Sequence, residues 1–163
     1  MTVKVFGNAA AVVDLAQALF GAPMGNVLFT TTLHALDAHT LQLASFLNLV
    51  TNGNFGGYSN AALAQVVLNN FLGNDSSNNA GLQQVVADLF STNPQNRGVV
   101  VYQLAQALTG LEGNPTYGAA AVAWNNAVFD SYTQSSTPGF APSGMDGLVA
   151  TGPAVELVGL HAP

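Results

Sequence analysis

The sequence predicts an all-α protein, a single-domain helical bundle of about six helices with an irregular Gly/Pro-rich tail. Apolar residues recur along most of the chain at the spacing of one helix face. Clusters of Gly, Pro and Asn separate these segments, and one helix-like block is written twice. The length of 163 residues suits one domain. We therefore expect a helical domain over residues 1–135 and a tail over 136–163 that packs on the domain or mediates contacts.

The first helix is predicted from Ala9 to Phe20, after a short alternating segment that indicates an edge strand or an extended tail. Asn8 is the expected N-cap, because an Asn side chain can accept hydrogen bonds from the free N–H groups of the first turn. Gly21 and Pro23 should end this helix.

A second helix is predicted from Val27 to Val50, and a Gly- and Asn-rich loop from Thr51 to Tyr58 follows it. Two aromatic residues, Phe55 and Tyr58, lie within this predicted loop. Aromatic side chains in such a loop either fold back as hydrophobic plugs or remain exposed for contact with a ligand or a neighbouring subunit.

The duplicated block spans Asn60–Asn74 and Asn79–Asn93, where Asn, Ala, Leu, Gln, Val-Val and Phe coincide at a fixed offset. Ser59 should cap the first copy and Gly73 should end it. In each copy the apolar positions fall at i, i+3, i+4 and i+8, on one helix face. These positions are Leu63, Val66, Val67 and Phe71 in the first copy, and Leu82, Val85, Val86 and Phe90 in the second. We expect both stripes to face one core.

Two more helices are predicted after the repeat. Asn93-Pro94 indicates an N-cap followed by Pro at the first helical position, with the helix running to Gly113. The last long helix should begin near Thr116 and end by Ser135, where Gly and Pro become frequent.

The charge balance is unusual, with 2 Lys+Arg against 8 Asp+Glu. Only 6% of residues are charged, whereas a soluble domain usually has about 25%. The basic side chains are Lys4 and Arg97, too few for the counterion release that drives nucleic-acid binding. We therefore predict no nucleic-acid partner. The Lys-poor, amide-rich composition favours an exported surface protein, and a cytoplasmic acidic domain remains the alternative.

No segment reaches the length of about 20 apolar residues that a membrane-spanning helix needs. The apolar span from Leu33 to Val50 is interrupted by His34, Asp37, His39, Gln42 and Asn48, and the amino-terminal apolar run is interrupted by Asp14. The sequence therefore predicts neither a membrane span nor a cleaved signal peptide. The chain contains no Cys, which excludes disulfides, thiolate catalysis and zinc–thiolate sites.

The chemistry-bearing residues form no recognisable motif. His34 and His39 lie five residues apart, whereas metal ligands on one helix face come at i+3 or i+4. A local hydrogen bond between His34 and Asp37 is the simpler expectation, and His161 could join either His only through the tertiary fold. The acids are scattered, and neither a serine hydrolase motif nor a phosphate loop is present. We predict no enzyme activity, no catalytic residue, no metal and no cofactor.

The composition suits association between copies of the chain. Asn and Gln can be buried at a contact at a lower desolvation cost than Lys or Glu, and interface centres are depleted of charge. The expected contact residues are Phe55, Tyr58 and Tyr117, in aromatic-bearing loops.

The helical blocks Asn60–Val67, Gly81–Asp88, Arg97–Asn114 and Ala119–Tyr132 resemble the amino-terminal helical region of bacterial surface-layer proteins exported by type I secretion. The resemblance covers residues 33–135 and is one of helix order and amide-rich style. Members of that family lack a cleaved signal, avoid Cys and use this region to anchor to cell-surface polysaccharide. This chain departs from them in having no Gly/Asp-rich calcium repeats and no long β-rich lattice segment.

The resemblance implies an extracellular structural protein that self-assembles or anchors at the bacterial cell surface, as a subunit of a surface layer or a filament. Its partners would be copies of itself and cell-surface polysaccharide. The apolar ending Val155–Leu160 is similar to the uncleaved carboxy-terminal export signals of type I substrates. The alternative is a secreted binding module whose helices enclose an apolar ligand or haem.

Overall fold

The computed structural model describes residues 2–73 and 80–141. Within these ranges the protein is all-helical and forms one helical domain, so the predicted fold class is confirmed. The helices are α1 (Gly7–Phe20), α2 (Asn26–Asp37), α3 (Leu43–Phe55), α4 (Asn60–Leu72), α5 (Ala80–Thr92), α6 (Arg97–Thr109) and α7 (Gly118–Ser135). None of these described helices combines the length and the hydropathy that crossing a bilayer requires.

Helix α1 lies at the centre of the bundle and packs against α2, α3, α4, α6 and α7. Nine of its residues are buried, from Ala10 to Leu19. A helix that is apolar around most of its circumference is stable only when other helices cover all of its sides. The small side chains of its Ala residues also let the neighbouring helices approach closely.

The predicted helix from Val27 to Val50 is wrong, because the chain turns between α2 and α3. His39 has a left-handed φ of 58°, and the N–H groups of Thr40 and Leu41 both donate to the carbonyl of Ala35. These bonds satisfy the carbonyl end of α2 and release the chain toward α3. No Gly or Pro marks this break in the sequence. The sequence therefore predicts one helix where the structure has two, α2 and α3.

The predicted loop from Thr51 to Tyr58 is wrong over its first five residues, since α3 continues to Phe55. The Thr51 hydroxyl donates to the Leu47 carbonyl at 2.8 Å, and the Asn54 amide donates to the Val50 carbonyl at 2.8 Å. Polar side chains that bond back to the preceding turn can be accommodated within a helix. The true connection to α4 is therefore short.

Some helices begin or end at the residues that the sequence predicts, and others do not. Ser59 caps α4 as predicted, accepting the Ala62 N–H at 3.1 Å. Gly21 ends α1 in a left-handed conformation with φ 63°. The predicted Asn8 cap is wrong, because Phe6 occupies the N-cap position and the Asn8 amide donates to Asp37 at 2.9 Å.

The later helices are shorter than predicted. Asn93 accepts a backbone hydrogen bond from Asn96 in a turn, so α6 begins at Arg97 rather than at Pro94. It ends at Thr109, before the predicted stop at Gly113. The predicted tail lies outside the described residues from 142 onward.

The duplicated block forms the adjacent helices α4 and α5, which pack against each other. Both stripes contribute to the core, through Leu63, Val67, Phe71, Val86 and Phe90. The copies are not equivalent, because Val85 is 55% exposed. The predicted turn between them, residues 74–79, lies outside the described ranges.

Candidate functional site

The structure places the three predicted contact residues in different environments. Phe55 is buried at 9% exposure, whereas Tyr58 is 45% exposed. Tyr117 is half-buried and lies just before α7, on another part of the bundle. The three side chains therefore do not form one surface.

Phe55 is a buried hydrophobic plug, and its ring packs against the ring of Tyr58. Its ring centroid lies 5.6 Å from that of Phe20 and 4.9 Å from that of Tyr58, and the latter pair meets edge to face at 75°. Such aromatic pairs stabilise one relative orientation of the rings. Phe55 is therefore largely covered by its neighbours and supports the Tyr58 ring.

Tyr58 borders a cavity of about 430 Å³ that we call the Tyr58 pocket. Its lining residues are Asn52, Gly56, Tyr58, Asn60, Pro94 and Arg97. They come from the end of α3, the start of α4 and the turn leading into α6. The pocket thus combines an exposed aromatic ring, two side-chain amides and a guanidinium.

Arg97 is buried, with 7% of its surface exposed, and its hydrogen bonds connect the segments that line the Tyr58 pocket. Its Nη1 donates to the Tyr58 carbonyl at 3.0 Å and to Asn60 Oδ1 at 3.3 Å. Its Nη2 donates to the Phe55 carbonyl at 3.0 Å. The planar guanidinium suits this role because its donors have a fixed geometry.

Burial lowers the pKa of Arg97 from its ordinary value, since the charged form loses solvation. Within the described ranges the side chain bonds only to neutral oxygen atoms, and no carboxylate contributes to this pKa shift. The positive charge at the pocket is therefore not neutralised by an acid of the described chain.

Two helix N-termini add to this positive character. Asn60 is the first residue of α4 and Arg97 is the first residue of α6, and both line the pocket. A helix N-terminus has a partial positive charge of roughly half an elementary charge. The electrostatics therefore favour an anionic group or a ligand rich in hydroxyl oxygens.

The close packing of α3 and α6 sets the position of Arg97. A Cβ atom at Gly98 would overlap the Leu47 carbonyl oxygen, so only Gly allows the backbones to approach this closely. The Asn48 side chain joins the same helices by accepting from the Val99 N–H at 3.3 Å and donating to Asn96 at 3.0 Å. The N-terminus of α6 is thereby fixed beside α3.

Sequence reasoning missed the role of Arg97 and treated it only as one of two basic side chains. The available signal was the single Arg directly before a Gly, just after the Asn-Pro turn. This signal did not indicate which carbonyl groups the guanidinium would meet, because these belong to a segment about 40 residues earlier.

A scan against models of protein families and searches of curated proteins and solved structures find no match to this chain. The resemblance to surface-layer proteins therefore remains a prediction.

Tyr117 lines a second feature, an apolar groove of about 150 Å³ that we call the Tyr117 groove. Residues of α4, α5 and α6 form most of its walls, including Phe71, Leu82, Leu104 and Leu108. These walls are almost entirely hydrocarbon.

The histidines form no metal site in the described ranges. His34 is exposed on α2, and His39 is exposed in the following turn. The expected His34–Asp37 pair is not among the observed hydrogen bonds, and Asp37 instead accepts from Asn8. No group of three His, Asp or Glu residues in residues 2–73 and 80–141 is arranged to hold a metal ion. His161 lies outside the described residues.

Proposed function

We propose that this chain is an extracellular structural protein that anchors at the bacterial cell surface, and that it contacts acidic polysaccharide through the Tyr58 pocket. The observation that carries the proposal is the combination of the exposed Tyr58 ring with Asn52, Asn60 and Arg97 around one cavity. The proposed role is binding and assembly, without catalysis.

The Tyr58 pocket has the groups that a polysaccharide requires. An exposed ring offers an apolar face to the C–H face of a sugar, while Asn side chains both donate and accept hydrogen bonds with hydroxyl groups. The Tyr58 backbone is fixed by Arg97, and its ring packs on Phe55. A ligand would therefore bind with little loss of conformational entropy in the protein.

The charge of the Tyr58 pocket favours an acidic polysaccharide over a neutral one. The whole chain has a net charge of −6, which repels an acidic polymer at long range. Arg97 and the two helix N-termini contribute positive charge at the pocket. Binding should consequently be confined to this pocket and should weaken as salt is added.

The test is retention of the full chain on immobilised alginate, with dextran as the neutral comparison. The Tyr58→Ala variant should bind alginate at least about fivefold more weakly, since a central aromatic contact contributes more than about 1 kcal/mol. Phe6→Ala is the matched control, because Phe6 is also exposed but does not line the pocket. Equal retention of Tyr58→Ala and the wild type would contradict the proposal.

A second candidate function is binding of a small apolar ligand, and the hydrocarbon walls of the Tyr117 groove favour it. A volume of about 150 Å³ lies below the roughly 300–1,000 Å³ of sites for drug-sized molecules, which disfavours haem. We expect indole to cause chemical-shift changes around Leu104 and Leu108. Leu104→Gln should abolish them, whereas Leu89→Gln, on the exposed face of α5, should not.

A further inference from the structure

Asp14 is a buried acid in the middle of the central helix α1. Only 4% of its surface is exposed, and it lines a cavity of about 190 Å³ that we call the Asp14 cleft. The cleft lies between the amino-terminal segment, α1, α6 and α7. It is separate from both the Tyr58 pocket and the Tyr117 groove, whose lining residues it does not share.

The Asp14 carboxyl has no hydrogen-bond donor among the residues that the structure describes. Desolvation is the cause of its raised pKa, with no compensating hydrogen bond or positive charge. Lys4 lines the same cleft, but its charge acts on Glu112 rather than on Asp14. Because Asp14 lines the cleft, a donor that enters the cleft would stabilise its carboxylate.

Two side-chain amides line the cleft together with Asp14, and their N–H groups donate to other residues. Asn125 uses both of its amide N–H donors, on the Thr109 carbonyl at 3.1 Å and on Glu112 at 2.8 Å. Gln106 donates to the Tyr102 hydroxyl at 2.9 Å. Asn125 and Gln106 therefore bring amide oxygens, which can accept hydrogen bonds, to the same cleft as Asp14.

We propose that the Asp14 cleft binds a small alkylammonium ion, whose N–H groups donate to the Asp14 carboxylate and to the amide oxygens of Gln106 and Asn125. The apolar part of the ligand would contact Val5, Ala10 and Val128, which also line the cleft. The net charge of −6 attracts a cation toward the protein. The volume of the cleft admits several non-hydrogen atoms.

Binding of a cation at Asp14 should be coupled to loss of the Asp14 proton. Burial raises the pKa of Asp14 to about 7, so this carboxyl is largely protonated in mildly acidic solution. A bound cation favours the carboxylate and therefore lowers that pKa. The other titratable groups lining the cleft are Lys4 and Tyr102, and burial together with the charge of Asp14 raises the pKa of Tyr102.

The experiment is an NMR titration of the full chain with n-butylammonium, following the Asp14 carboxyl carbon and the backbone amides. n-Butanol and butyrate are the neutral and anionic comparisons of equal chain length. We expect saturable shifts at Asp14 and Tyr102 with n-butylammonium, together with a lower pKa of Asp14. Asp14→Asn should bind roughly tenfold to a hundredfold more weakly, the loss of hydrogen bonds to a charged group.

Asp130→Asn is the matched control, since Asp130 is exposed on α7 and does not line the cleft. Gln106→Leu is a second variant at an exposed position that should fold normally and bind several-fold more weakly. Equal binding of n-butanol and n-butylammonium, unchanged binding by Asp14→Asn, or no binding by the wild type would each overturn the proposal.

Discussion

At the scale of single residues, the buried charges are the most informative feature of this protein. In a chain with only 6% charged residues, both Asp14 and Arg97 are buried. Arg97 is surrounded by carbonyl and amide oxygens, whereas Asp14 has no donor within the described ranges. The first arrangement stabilises a loop, and the second leaves a carboxyl with a raised pKa beside a cleft.

The pKa of Asp14 predicts how stability depends on pH. Its pKa is raised from the ordinary value of 3.8 to about 7. Between these values the folded chain binds more protons than the unfolded chain, so the free energy of unfolding contributed by this group falls as pH rises. This stabilising contribution is fully present below pH 3.8 and is lost as the pH rises through about 7.

Asp14→Asn should remove this loss and flatten the dependence of stability on pH. Urea unfolding of the wild type, Asp14→Asn and Asp130→Asn between about pH 4 and pH 8 measures the effect. The exposed Asp130 provides the control. A wild-type stability that rises across this window in parallel with that of Asp14→Asn would contradict the burial of an unpaired carboxyl.

Arg97 should not tolerate replacement by Lys. The three bonds of its guanidinium reach the Phe55 carbonyl, the Tyr58 carbonyl and Asn60 at once. A single ammonium group cannot reproduce this planar arrangement. We expect Arg97→Lys to lower the free energy of unfolding by roughly 1–3 kcal/mol, measured by urea denaturation. Lys4→Arg is the reverse exchange at the other basic residue, and it should change stability little. A similar loss of stability in both variants would contradict the role of the three guanidinium hydrogen bonds.

At the scale of elements, the packing of α3 against α6 depends on one glycine. Gly98→Ala would place a methyl group against the Leu47 backbone, which has no flexible side chain to move away. We expect a loss of roughly 1–3 kcal/mol in the free energy of unfolding, the typical cost of overpacking. Thermal or urea denaturation measures it.

Gly81 supplies the matched control for Gly98, because it also lies in a helix but a Cβ there would meet no atom within 4 Å. Gly81→Ala should be neutral or should stabilise the protein by up to about 1 kcal/mol, through helix propensity alone. Equal effects of the two substitutions would show that backbone entropy, rather than close packing, determines the result.

The duplicated helices illustrate how tertiary packing modifies a repeated sequence. Both copies place a Phe and a Val in the core, as their spacing predicts. Yet Val66 is half-buried while its counterpart Val85 is exposed. Helix α4 packs against the central α1, whereas α5 packs mainly on α4, so α5 has fewer neighbours to cover its sides.

At the scale of the whole molecule, the proposed structural role predicts self-association. The low charge density reduces repulsion between copies, and α5 exposes Val85 and Leu89 one turn apart. We expect ordered assemblies in negative-stain images at high protein concentration. A monodisperse monomer by sedimentation, together with no retention on alginate, would contradict the structural role. Val85→Ser with Leu89→Ser should reduce assembly without a change in alginate binding.

The sequence by itself determined the fold class and several helix ends. Helical spacing of apolar residues predicts the α-helices. The local chemistry of Ser59 predicts where α4 begins, and that of Gly21 predicts where α1 ends. These features depend on residues a few positions apart, so a linear pattern contains them. The turn at His39 was missed because its φ of 58° belongs to a residue type that gives no strong stop signal.

Only the tertiary structure decided which residues are brought together. The repeat is the most conspicuous stretch of the sequence, yet α1 is the helix around which the others pack. The same packing buries Asp14 and surrounds Arg97 with distant carbonyl groups, leaving Tyr58 exposed above the plug formed by Phe55. Burial and hydrogen bonding depend on contacts between distant segments, and a helix periodicity specifies only which face is apolar.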